Sequence, residues 1–161
     1  MGLSKAYFAG GCFWGVEFLF QKQIGVLEVV SGYMGGDIEN PTYEIVCSGF
    51  SGHLEVVEVI FDENIVSYET LAKLFFEIHD FTQTNGQGPD IGTQYLSAIF
   101  YCDENQKNIA EDLIVQLEEK AYKVATTLRP KVKFHKAESY HQNYYNKSGK
   151  TPYCHSYRKV F

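Results

Sequence analysis

Apolar positions along the chain recur with two periods, and the switches between them predict the elements. KAYFA at 5–9 is a short apolar run ended by Gly10 and Gly11, and beyond it Val16, Leu19 and Phe20 return at helical spacing. This predicts strand, glycine turn, helix, with Cys12 at the helix start. VLEVVSGY at 26–33 is rich in β-branched residues and reads as a strand. After the turn-like MGGDIENPT, YEIVCSG at 43–49 is expected as one short helix. HLEVVEVIF at 53–61 is a second strongly β run, and Leu71, Leu74, Phe75 and Ile78 then share one face of a helix over 67–79. The polar, glycine-bearing TQTNGQGPDIGTQ at 82–94 reads as a long loop, and QYLSAIFYC at 94–102 as a strand. Asp103 and Gln106 mark a helix start before Ala110, Leu113, Ile114, Leu117 and Ala121 line one face. A short β run, KVKFHKA, and an irregular aromatic tail close the chain. The order β-α-β-β-α-β with one further helix predicts an α+β fold, a ferredoxin-like antiparallel sheet with helices packed over one face.

Length and composition narrow the class. With 161 residues, 45% of them hydrophobic, and no repeat or low-complexity tract, one domain over 1–161 with one core is expected. A net charge of -6 without any basic run argues against nucleic acid. No stretch of 18 apolar residues is present, and the opening MGLSKAYFAGGC is too short in apolar residues for a secretory signal. The expectation is a cytoplasmic monomer that does not enter membranes.

The four cysteines, Cys12, Cys47, Cys102 and Cys154, form no CxxC pair and match no zinc spacing, and the five histidines are scattered, so no metal is expected. Cys12 stands apart. In FAGGCFWGVEF it sits between glycines, beside Phe13 and the only tryptophan, Trp14. A thiol at a helix start meets unpaired N–H groups and the positive end of the helix dipole, which favour a nucleophilic thiolate over a small buried hydrophobe. Glu55, within a β run, suits a general acid if burial keeps it protonated, but alternation alone does not separate it from Glu58 on the opposite face. Cys154 lies in KTPYCHSY, a segment punctuated by Gly149 and Pro152 that suits a thiol able to swing onto another. Cys47 and Cys102, inside an expected helix and strand, read as core residues.

GCFWGVE at 11–17, GYMGG at 32–36, NPTYEIVCSG at 40–49, GHLEVVEV at 52–59, GPDIGTQY at 88–95 and the tail YHQNYY run in order over almost the whole chain. Together they resemble the type A peptide methionine sulfoxide reductases. The resemblance implies that Cys12 is the nucleophile and that Glu55 protonates the sulfoxide oxygen. It implies that Phe13 and Trp14 hold the substrate methyl group, and that Tyr43, Asp90 and Tyr95 complete the polar side. Cys12 would become a sulfenic acid, Cys154 would condense with it, and a thioredoxin would reduce the disulfide, with no metal or bound organic cofactor. Oxidised proteins, peptides or free methionine sulfoxide of the S epimer would be the substrates. The chain departs from the family where Leu54 replaces the usual alanine of GHAE and where Leu96 stands at a frequent arginine. Two other readings of the same residues are a cysteine hydrolase or acyltransferase with His53 as base, and a redox-sensing or peptide-binding thiol module.

Overall fold

The computed structural model describes residues 2–152 and 155–161, so Cys154 lies outside the described residues. The first apolar run forms β1 (Leu3–Gly10), and the turn at Gly11 leads into α1 (Phe13–Gln21). The β-branched run forms β2 (Val26–Met34), followed by the short α2 (Tyr43–Cys47), which starts where the Thr42 hydroxyl accepts from the Ile45 N–H. Next come β3 (Leu54–Asp62) and α3 (Tyr68–Glu77), capped by Ser67. A two-residue hairpin, β4 (Gly86–Gln87) and β5 (Asp90–Ile91), precedes β6 (Ser97–Tyr101). The long α4 (Glu104–Glu119) is capped by Asp103, which accepts from the Gln106 N–H at 2.8 Å. Finally β7 (Thr127–Pro130), β8 (His135–Lys136) and α5 (Tyr144–Ser148) complete the set.

Six strands pair in the order β7-β6-β1-β3-β2-β8. Every pairing is antiparallel except β6 with β7. The inner four, β6-β1-β3-β2, have the interleaved ferredoxin-like order, because α1 carries the chain from β1 past β3 to β2 and α3 carries it from β3 past β1 to β6. Alternation along the strands sends Phe8, Val57, Val59 and Ile99 to the helix-covered face, where Phe8 stacks on Phe20 and Phe75 at ring distances of 5.1 Å. Tyr7, Leu54, Val56 and Phe100 take the other face, under Leu96 and Phe134. Glu55 and Glu58, three apart, therefore point to opposite faces. Among the described residues no helix is long and apolar enough to cross a membrane.

Several expectations need correction. KVKFHKA contributes only His135–Lys136 to the sheet, while TLRP at 127–130 supplies an edge strand that its half-exposed, non-alternating pattern conceals. The loop at 82–94 contains the small hairpin. Gln94 and Tyr95 belong to a 3-10 turn, and β6 begins at Ser97. The tail is partly helical. Cys47 and Cys102 are exposed, not core: α2 buries only Val46, and Cys102 falls in the turn after β6.

Candidate active site

The turn from β1 to α1 is built around a buried histidine from the far end of the chain. Gly11 has φ +96°, and a Cβ there would meet Gln87 Cβ at 2.5 Å. His155 is 5% exposed, and its Nε2–H donates to the Gly10 carbonyl at 2.6 Å. A Cβ on Gly15 would lie 2.3 Å from Nδ1 of that ring, so the third glycine of the motif serves packing, not turning. In a helix interior, alanine normally improves on glycine by about 1 kcal/mol. Here the clash wins, and Gly15→Ala should lower stability by about 1–3 kcal/mol, read from urea unfolding.

Cys12 occupies the N-cap position of α1 with φ -54° and ψ 119°, and its side chain does not cap the helix. It is 8% exposed. One residue on, the Phe13 N–H donates to Glu55 Oε1 at 3.2 Å. The sheet delivers that carboxyl, since Glu55 on β3 sits opposite Tyr33 on β2 and points under the start of α1. Glu55 is 1% exposed, and its other oxygen has no protein partner. Burial pushes its pKa up to about 8, the Asp90 carboxylate adds to the rise, and the Phe13 N–H opposes it. Near neutral pH it is a carboxylic acid with a proton to give. The alternation that left Glu55 and Glu58 equivalent is thus resolved by tertiary placement. Glu58, on the other face, accepts from the Tyr7 hydroxyl at 2.6 Å and lies 3.7 Å from Lys5.

Two phenols face the same acid. Tyr43 is held protonated by burial, by the neighbouring Cys47 and by the nearby Glu55. Burial does the same for Tyr95, reinforced by Glu55, Cys47, Asp90 and Cys12. Both remain O–H donors at any physiological pH. Cys12, Glu55, Tyr43, Tyr95 and Asp90, drawn from five places in the chain, therefore influence one another across a single site.

The aromatic pair divides its work. Phe13 is 1% exposed and packs between Tyr33 and His141, with ring distances of 5.7 and 5.1 Å. Trp14 keeps open surface, lying flat on Tyr144 at 3.7 Å and 8° while its Nε1–H donates to His141 Nδ1 at 3.0 Å. Burial lowers the His141 pKa, leaving the neutral ring that such acceptance requires. Glu138 joins the two sides of the site. Its oxygens accept from the Tyr33 hydroxyl and the Tyr43 N–H, both at 2.9 Å, and these bonds outweigh the effect of burial and hold its pKa down.

Sequence reasoning overlooked His141, Tyr144, Glu138 and His155, and read Cys47 as core. The first two were signalled by YHQNYY, and nothing in the local pattern marks the others. His53 is not available as a base: its Nδ1 accepts from the Gly36 N–H at 3.1 Å and its Nε2–H donates to the Ile38 carbonyl at 2.7 Å. Grooves of about 460 and 390 Å³ lie beside His79 and Arg158 and beside Glu28 and Lys136, away from Cys12 and Glu55. Among the described residues no group of His, Cys, Asp and Glu is arranged to hold a metal.

With this geometry in view, similarity to known proteins becomes informative. The sequence model of the family described as peptide methionine sulfoxide reductase matches residues 4–160. A protein of Nautilia profundicola named peptide methionine sulfoxide reductase MsrA is 51% identical over 152 residues, covering 94% of this chain and 88% of that one. The crystal structure of reduced Mxr1 from Saccharomyces cerevisiae superimposes with a TM-score of 0.90 at 32% identity, covering 98% of this chain and 93% of that one. Methionine sulfoxide reductase A of Corynebacterium diphtheriae gives 0.83 at 35% identity, covering 95% and 78%.

Proposed function

Because the chain belongs to the peptide methionine sulfoxide reductase family, in its type A branch, we propose that it reduces methionine S-sulfoxide to methionine with Cys12 as nucleophile. The observation that carries this assignment is the buried Glu55 hydrogen-bonded to the peptide N–H next to Cys12, where burial pushes its pKa up to about 8. A methyl sulfoxide bears an apolar methyl and a polar oxygen on one sulfur. The open face of Trp14, backed by Phe13, receives the methyl, and Glu55, Tyr43 and Tyr95 receive the oxygen. Burial keeps the Glu55 carboxyl protonated, and Asp90 adds to this by repelling its charged form.

Protonation of the sulfoxide oxygen by Glu55 makes the substrate sulfur electrophilic, and the Cys12 sulfur attacks it. The oxygen is transferred to Cys12, methionine leaves, and a sulfenic acid remains. The Cys154 thiol then condenses with that sulfenic acid, releasing water and forming a disulfide, which the dithiol of a thioredoxin reduces. The resolving role of Cys154 is supported by its covalent neighbour His155, which is bound to Gly10, two residues before Cys12. The hydrolase alternative loses its base, since both nitrogens of His53 are engaged.

A peptide carrying separated sulfoxide epimers, with thioredoxin as reductant, tests the assignment: methionine should form from the S epimer alone. Cys154→Ser should still complete one turnover and accumulate a sulfenic acid at Cys12 that dimedone traps, yet stop cycling with thioredoxin. Undiminished cycling in that variant would move the resolving role to Cys47 or Cys102, both exposed thiols, or to direct reduction of Cys12.

A further inference from the structure

Glu17 belongs to the same motif as Cys12 and has no part in the chemistry above, yet it is one of the most deeply buried carboxyls in the protein, at 1% exposure. Its Oε1 accepts from the Asn143 N–H at 2.9 Å, and the Tyr144 N–H also points at the carboxyl. Its Oε2 makes no hydrogen bond of full geometry, with the Ser31 hydroxyl near enough to favour the charged form. Burial raises its pKa to about 7 against the pull of those N–H groups. A carboxyl this deeply buried costs desolvation that an apolar side chain of its size does not.

Its contribution is geometric. Trp14 lies three residues earlier on α1, so Trp14 and Glu17 both reach toward the segment 141–144. That segment holds both partners of Trp14, the His141 ring nitrogen and the flat face of Tyr144. Between them, Asn143 adopts the left-handed conformation, φ 56° and ψ 36°, which turns its N–H and that of Tyr144 toward the helix. Gln142 ties the same segment to the sheet, bonding the Ser31 N–H and carbonyl at 2.9 and 2.8 Å. Gln142 therefore fixes the segment to β2, whereas Glu17 at the backbone, with Gln21 at the Asn143 side chain, fixes it to the helix that carries Trp14.

We propose that Glu17 is the positioning residue of the methyl-binding wall: its carboxyl locks the 141–144 segment against α1 so that His141 and Tyr144 hold the Trp14 ring in place. The assignment rests on the reading of Trp14 as the wall that receives the substrate methyl, but it has its own signal. Trp14 is the chain's only tryptophan, so its emission reports the packing of that ring.

Glu17→Leu keeps the bulk and leaves the Asn143 and Tyr144 N–H groups without that acceptor. Its Trp14 emission should shift to longer wavelength and become more open to acrylamide quenching. KM for a peptide methionine sulfoxide should rise about tenfold, on the order of what the loss of a hydrogen bond to a charged or partly buried group costs, with kcat changing less than KM. Glu17→Gln keeps an acceptor oxygen in place and should restore both readouts to near the wild-type values. Glu17→Asp, which withdraws the acceptor by one methylene, should show the same emission shift and serves if the leucine variant does not fold. Unchanged emission in folded Glu17→Leu or Glu17→Asp overturns the proposal, as does a glutamine variant that behaves like leucine. An emission shift with unchanged KM upholds the positioning role and counts instead against Trp14 as the methyl wall.

Discussion

Cys12→Ser should form no methionine at all, even in a single turnover with enzyme in excess over a peptide S-sulfoxide. The substitution is nearly isosteric, and Cys12 makes no side-chain cap to the helix, so the turn and α1 should survive it. What is removed is the reaction. A serine hydroxyl is a far weaker nucleophile at neutral pH than a thiol. It also has no stable state that accepts the transferred oxygen, whereas sulfur does. Mass spectrometry after one turnover should find one added oxygen on Cys12 in Cys154→Ser, and none on residue 12 of the serine variant. One methionine per chain from folded Cys12→Ser would show that the nucleophile lies elsewhere, with Cys47, an exposed thiol on the helix that begins at Tyr43, the first candidate.

Glu55→Gln should slow the reductive step by about a hundredfold or more, the usual range for loss of a positioned general acid. The amide oxygen still accepts from the Phe13 N–H, so the start of α1 stays anchored, but the amide has no proton to transfer. The pH profile carries a second signature. A carboxyl whose pKa is raised to about 8 is protonated below that value, so its reactive form is lost as pH rises through it. The wild-type rate should therefore fall on the alkaline side, roughly tenfold for each pH unit beyond the pKa, and the glutamine variant should lack that limb. Rapid mixing with Trp14 emission as the signal measures both. Glu58→Gln on the far face, beside Tyr7 and Lys5, should leave the rate and its profile unchanged. Equal rates and equal profiles for wild type and Glu55→Gln would assign the proton to Tyr43 or Tyr95.

Much of this protein was legible from residue order. Alternating apolar runs predicted β1, β2 and β3 to within one or two residues, helical spacing and side-chain caps predicted α3 and α4, and Asp103 caps α4 as its distance to Gln106 implied. These are local decisions, made by neighbours within a turn or a pleat. The glycine-framed Cys12 likewise marks itself, because a backbone that bends beside a thiol is written in adjacent residues. The ordered motifs supplied the family.

Other features depend on partners far along the chain. Glu55 and Glu58 have similar apolar neighbours in sequence, and only the pairing of β3 with β1 and β2 beneath α1 buries one as an acid and leaves the other beside a lysine. Gly15 looks like part of a turn and is in fact the space for His155, 140 residues away. Cys47 reads as a core residue until α2 proves only five residues long, too short to bury more than Val46. Trp14 announces an aromatic site, but the segment 138–144 that orients it returns from the far end of the chain through Glu138, His141 and the carboxyl of Glu17. Local sequence determines which backbone forms and which atoms are available to react. Desolvation and long-range hydrogen bonding, which exist only once distant segments meet, decide which carboxyl keeps its proton and which way the aromatic wall faces.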